Sequence, residues 1–413
     1  MRRRIAGNVA WMLLDRGTQV VAGIAVVAIL ARTLGTDGFA AFQYAQSLVF
    51  LGSSVALICG GEVVIPRLVA LADRASQHRL LAHVFRLRIL AALAGYLLVV
   101  AFLMATDQPP RNWWPALILG GSILLREPFG VVVAWMQSRT QTRPGVCINV
   151  VALALKVGIV VGLASCGQRA TEPYAAAFLL EAIVAAALLC LLYRQHMPRF
   201  RTQLDPELTR SLLHDGALFW VSFILMMGAR RIDQLILHAH VGASEFAAYA
   251  ATVQITDNFS TLATILASGI APLYVYGKSD AAAAIRSVLK LAAFLFAMGL
   301  AGATTLAMLA PWIVELLYGS AFTDAIALLR LAILVSPLVF ADVGFTILAA
   351  YLRRPRWIVI KWGIACAATV IVDLIAIPEL GARGAILGYA VSSTLAVLAG
   401  ICMWVRARTL HTL

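Results

Sequence analysis

The chain has 413 residues, of which 62% are hydrophobic and 13% charged, and its mean hydropathy is +0.88. A soluble domain carries about 25% charged residues, so this composition excludes a water-soluble globular protein and specifies a polytopic helical membrane protein. The net charge of +13 sits in short connectors between apolar runs and not on one basic face, which excludes nucleic acid as a partner.

The opening Met1-Arg2-Arg3-Arg4 has the charge of a signal-peptide start, but Asp15-Arg16 interrupts the apolar run behind it. No small-residue cleavage site follows, so a retained first helix is expected. Twelve spans are predicted: Val9–Ala31, Ala40–Val69, Ile89–Ala105, Trp113–Met136, Val146–Ala164, Tyr174–Leu192, Leu213–Leu237, Phe246–Tyr274, Val288–Leu309, Ala325–Ala350, Ile358–Ile377 and Ala385–Val405. A hydrocarbon core of about 30 Å takes about twenty helical residues. The second and eighth runs exceed that and should tilt, kink or extend beyond the membrane.

Connector charge sets the expected orientation. Twenty-three Lys and Arg fall on the amino-terminal side, in Arg2–Arg4 and the connectors around Arg67–Arg88, Arg139–Arg143, Arg194–Arg210, Lys278–Lys290, Arg353–Lys361 and Arg406–Arg408. Five (Arg32, Arg111, Arg169, Arg330 and Arg383) fall on the other side, so both termini are expected in the cytoplasm.

The longest polar connector divides the chain into an amino-terminal six-helix half (1–193), a cytoplasmic linker (194–215) and a carboxy-terminal six-helix half (216–413). Asp205-Pro206-Glu207 reads as a helix start, with Asp as cap and Pro in the first turn. A short amphipathic surface helix is expected there.

The halves repeat. Gly35 to Phe42 matches Gly242 to Tyr249 at an offset of 207 residues, Ser53-Ser54 meets Ser260-Thr261, and Pro66 meets Pro272 with one residue's slip. An even span count with termini on one side makes the repeats parallel, and carriers built this way hold their substrate in a central cavity between the halves.

Charge inside a span costs about 2.5–3.5 kcal/mol on insertion scales, so each buried ionisable group needs a partner or a wet cavity. In the seventh span, Arg230, Asp233 and Gln234 form one stripe at i, i+3 and i+4, with Arg231 turned about 100° away. Two arginines against one acid read as a cationic anchor suited to phosphate; the alternatives are an internal ion pair or snorkelling. Asp15 and Arg16 mark the first span, as a second cavity site or a topology-fixing edge pair. Arg126-Glu127-Pro128 reads as cavity lining or as an internal pair at a proline kink. Lys156 has no acid near it in sequence; it faces the cavity or pairs with another helix. Glu62, behind Gly60-Gly61, and Glu127 are candidate coupling acids. Glu181, Asp257, Asp342 and Asp373 carry weaker signals.

Walker, HExxH and GxSxG motifs are absent. The six cysteines lie in or beside apolar runs without CxxC spacing, and the seven histidines are scattered. No enzyme activity, metal or cofactor is expected.

The run Asn8-x-x-Trp11, Asp15-Arg16 and Leu30-Ala31-Arg32-x-Leu34-Gly35-x-x-x-Phe39 resembles the polysaccharide (O-antigen) repeat-unit flippases of the multidrug/oligosaccharidyl-lipid/polysaccharide exporter superfamily. Ala40 departs from the glycine often found after that phenylalanine. The resemblance implies an alternating-access carrier in the bacterial inner membrane, moving undecaprenyl-diphosphate-linked oligosaccharide from the cytoplasmic to the periplasmic leaflet. Proton or sodium coupling and a polysaccharide polymerase partner go with that expectation. A lipid II-type flippase and a cation-coupled multidrug antiporter are the alternatives.

Overall fold

The computed structural model describes residues 2–106, 110–197, 205–278 and 280–411. Fourteen helices follow in order among the described residues: α1 (Arg2–Ala56), α2 (Gly61–Ala70), α3 (Arg74–Ala105), α4 (Pro110–Gly120), α5 (Ile123–Ser138), α6 (Arg143–Ser165), α7 (Thr171–His196), α8 (Pro206–His240), α9 (Ala243–Ala271), α10 (Ala281–Tyr318), α11 (Asp324–Ile333), α12 (Ser336–Tyr351), α13 (Pro355–Leu380) and α14 (Ala382–His411). No strand is present among them. Among the described residues, ten helical runs are long and apolar enough to cross a membrane. One of these, 14–70, turns at Gly35 and holds two spans, and α9, richer in Ser, Thr and Gln, completes twelve. The protein is a multi-pass helical membrane protein.

The breaks follow local chemistry. Gly35 sits at φ 66°, ψ −174°, a conformation open in practice only to glycine, and folds the long α1 into two spans. The second span unwinds at 57–60 before α2, and Pro272 converts the end of the eighth into a π-helical turn, Pro272–Tyr276. These are the two runs whose length was excessive. The fourth span remains helical through Pro128 and breaks instead at Gly121-Ser122 between α4 and α5.

Helices outlast their apolar runs wherever a cap lies further out. Asp73 accepts Ser76 N–H at 3.1 Å, so α3 starts at Arg74, fifteen residues before the predicted span. Asp280 caps α10 in the same way. Asp205 accepts the N–H groups of Glu207 and Leu208 and starts α8 at Pro206. The separate surface helix expected there is not formed: no breaker follows, and α8 runs on through Gly216 into the membrane. Arg199 and Arg201 lie outside the described residues, as do the side chains of Arg2–Arg4, Asn8 and Arg111.

The chain forms two compact units, Met1–Ile224 and Leu225–Leu413, dividing within α8. In the first, Leu30, Phe39, Phe42, Tyr44 and Leu103 are fully buried, and a second cluster gathers Val64, Leu81, Val84, Trp135 and Leu212. In the second, Ala263, Val288, Leu295, Phe340 and Leu348 form the core.

Candidate functional site

In the second unit, the charged stretch of α8 separates into three environments. Arg230 is half-buried beside a cavity of about 30 Å³ lined by Asp342, Trp362, Tyr389, Ser392 and Ser393 among others. That volume is large enough for a water molecule, and its rim carries hydroxyl groups and the Asp342 carboxylate. Among the described residues no carboxylate pairs with Arg230.

Arg231 points elsewhere and meets Asp257 of α9 at 2.5 Å. Asp233 pairs with neither arginine: Tyr249 donates its hydroxyl to Oδ2, and the Gln234 N–H lies 2.8 Å from Oδ1. The expected surplus of two arginines over one acid is therefore corrected, because the second acid is supplied by α9, which same-helix spacing cannot reveal.

Two further groups surround this stretch. Lys361 of α13 donates to both Asp342 oxygens, at 2.8 and 2.9 Å, and to Thr346 Oγ1 at 2.7 Å. The sequence places Lys361 in a connector, but the side chain is 3% exposed and belongs to the interior. Asp373 of α13 is fully buried, and neither oxygen has a hydrogen-bond partner among the described residues. It stands within electrostatic reach of Asp233.

In the first unit, Arg126, Lys156 and Glu181 come together from α5, α6 and α7. Lys156 Nζ lies 2.9 Å from Glu181 Oε2, and Arg126 lies 3.5 Å from Oε1. Arg126 thus does not close on its sequence neighbour Glu127; successive helical residues point about 100° apart, and Glu181 lies on its side.

Glu127 falls within electrostatic reach of Arg88, a residue sequence reasoning assigned to a cytoplasmic connector. Arg88 is 4% exposed and donates to the carbonyls of Ile58, Cys59 and Glu127 at 3.1, 2.9 and 3.0 Å. It satisfies the backbone freed where the second span unwinds, as buried carbonyls require. Trp220 Nε1 donates to Val55 O at 3.0 Å beside the same break. The one sequence signal for Arg88 was its place at the lip of an apolar run.

Glu62 opens α2 with its carboxylate folded over Gly60. Asp15 is half-buried and Arg16 exposed, and no ion pair among the described residues joins them. At the outer start of α8, Arg67 bonds Asp215 and Ser211, and Arg79 meets Asp205 at 2.7 Å, clasping α2 and α3 to α8. Among the described residues no group of three or more His, Cys, Asp or Glu could hold a metal ion.

A family model described as "Polysaccharide biosynthesis protein" matches residues 5–274. The chain belongs to that family. Its fold is shared by solved transporters at low identity. An inward-facing multidrug resistance MATE family transporter of the MOP superfamily aligns at 15% identity over 95% of this chain and 96% of its own, with a TM-score of 0.77. Lipid II flippase MurJ, in an inward closed conformation, aligns at 13% over 98% and 90%, with a TM-score of 0.74. A MOP superfamily transporter from Pyrococcus furiosus, whose binding pocket is described as reversed in polarity, gives 13% over 99% and 95% with a TM-score of 0.59. No curated protein matches by sequence search. This member of the polysaccharide biosynthesis family thus shares its fold with those solved proteins.

Proposed function

We propose that the protein is a flippase for undecaprenyl-diphosphate-linked oligosaccharide, an O-antigen or other surface polysaccharide repeat unit. It would work by alternating access in the bacterial inner membrane, with both termini in the cytoplasm and no enzymatic step. The observation that carries this reading is Arg230, a guanidinium within a transmembrane span that no carboxylate pairs with among the described residues, beside a small cavity lined by hydroxyl groups and by Asp342, whose carboxylate is taken by Lys361. An oxyanion suits it, through paired N–H donors, and a permanently cationic drug does not. The further candidate substrate-binding residues are Arg231 and Asp233 in the second unit and Asp15, Arg16, Arg126 and Lys156 in the first. Membership of the polysaccharide biosynthesis family supports the glycan cargo.

For coupling, the buried carboxyls Asp233 and Asp373 join Glu62 and Glu127 as candidate carriers of a proton or a sodium ion. A polysaccharide polymerase is the expected partner on the far side.

The test is complementation of a strain lacking the gene. Arg230→Ala is expected to insert normally and to lose surface polysaccharide. Wild-type export by that variant would remove the anchor. Dye efflux from cells or vesicles with surface glycan unaffected would move the assignment to a multidrug antiporter.

A further inference from the structure

Glu181 has two cationic neighbours, and they hold it in different ways. Lys156 approaches Oε2 to 2.9 Å, both side chains are 9% exposed, and the ammonium rests 4.6 Å from the Phe178 ring centroid. Arg126 comes no nearer to Oε1 than 3.5 Å, and its side chain is 65% exposed. The first distance is that of a charge-assisted hydrogen bond; the second is longer than one. All three residues lie well inside their spans, Asn112–Ser138, Arg143–Ser165 and Thr171–His196. At that depth an open guanidinium is expected to face a hydrated space and not lipid tails, because charge against lipid is costly. One acid between two cations leaves the cluster with a single positive charge.

We propose that Arg126, Glu181 and Lys156 act as an exchangeable ion-pair triad. The oxyanion of the cargo takes Arg126 from Glu181, and Glu181 later reclaims it, ejecting the cargo. The inference rests on the reading of the protein as a carrier of lipid-linked diphosphates. Each residue then has a separate task. Arg126 binds, because its planar fork offers two parallel N–H donors to a phosphate. Lys156 is a positioning residue: it keeps the Glu181 carboxylate compensated while Arg126 is engaged, so loading does not strand a buried charge. Glu181 is the resident competitor, tuning affinity downward so that bound cargo can leave. No covalent bond changes, and the total charge of the triad is constant.

The experiment uses the purified full chain in detergent, titrated with farnesyl diphosphate and with inorganic pyrophosphate and followed by tryptophan fluorescence, with farnesol as the uncharged control. Glu181→Gln is expected to bind both diphosphates about tenfold tighter, the scale of one charge-assisted contact, and to export less surface polysaccharide in cells. Arg126→Ala is expected to bind about tenfold more weakly. Lys156→Met releases Glu181 to occupy Arg126 and weakens binding to a similar degree. The double variant Lys156→Met/Glu181→Gln, lacking both competitor and compensator, returns to within about threefold of wild type.

A triad that merely holds helices together gives a different pattern, in which each single variant weakens binding and the double variant is the worst. Unchanged or weaker binding by Glu181→Gln overturns the proposal, as does tightening toward farnesol. Should Lys156→Met not fold, Glu181→Gln and the double variant decide the matter. If the wild type binds neither diphosphate, the lipid-linked diphosphate reading falls and the triad with it. If the wild type binds and Glu181→Gln is no tighter, the triad alone falls.

Discussion

The two halves share one backbone plan and keep their charges in different places. At the 207-residue offset, Arg230, Arg231, Asp233, Tyr249 and Asp257 correspond to Gly23, Ile24, Val26, Phe42 and Phe50. Val26 is 1% exposed and Phe42 fully buried, so the first half has a dry core where the second has an aspartate bonded to a tyrosine. Phe42 packs instead against Phe178, the rings tilted at 60° with 5.3 Å between centroids. The first half places its buried ion pair on the later helices α6 and α7, with Arg126 of α5 beside it. Conversely, Asp15 and Arg16 correspond to Ser222 and Phe223. A turn or a span survives duplication residue by residue. A buried polar network does not, because every member must have its partner at once.

The largest effect should separate a buried ion pair of the second half from an open one of the first. Lys361→Met strands Asp342 in the interior and is expected to cost about 3–5 kcal/mol, while Lys361→Met/Asp342→Leu recovers most of it. Arg67→Ala, whose pair with Asp215 is 26% and 49% exposed, should cost less than about 1 kcal/mol. Thermal unfolding in detergent measures all three, and equal losses for Lys361 and Arg67 would erase the contrast.

Exchanging residues between the halves is the next test. Asp233→Val alone leaves the buried Tyr249 hydroxyl without its acceptor, at about 1–3 kcal/mol. Asp233→Val/Tyr249→Phe imports the first half's own pair and should return stability to within about 1 kcal/mol of wild type. Export is expected to fail in both variants. Normal export by the double variant would show that the acid is only a packing device.

The smallest contrast lies in the matching turns. Gly35 holds φ 66° inside α1, whereas Gly242 precedes α9 at φ −70°. Gly35→Ala is expected to lower stability by about 1–3 kcal/mol and Gly242→Ala, at an N-cap with negative φ, by less than about 1 kcal/mol. Similar melting temperatures for the two would break the assignment of strain to one turn.

Much of the scaffold was legible in the residues. Hydropathy located the twelve spans, Gly35 and Asp205-Pro206 announced their turn and cap, and the excess length of the second and eighth runs anticipated a break and a π-helical turn. Partner identity was not legible. Arg88 and Lys361 read as connector charges because each sits at the lip of an apolar run, and only packing shows that the side chain turns inward. Asp257, Glu181 and Tyr249 complete pairs begun on other helices, 26, 25 and 16 residues away or more in chain, beyond any helical spacing. Hydropathy also stops where lipid stops, whereas α3 continues to its Asp73 cap.

Asp373 bears on how the chain is assembled in the cell. An aspartate at the centre of a solitary span costs about 2.5–3.5 kcal/mol on insertion scales, and Asp373, seven residues from the end of α13, carries part of that cost. Here α13 reverses into α14 through Gly381 alone, at φ 55°, and the backbone of Gly388 lies so close that a β-carbon there would sit 1.9 Å from the Asp373 carboxylate. Entry of the two helices as one hairpin covers the acid before lipid can reach it. Glycosylation mapping of α13 with and without α14 measures this, and efficient insertion of α13 alone would sink it. The last two spans are then expected to enter the membrane as a single unit, with the close approach of Gly388 covering the acid.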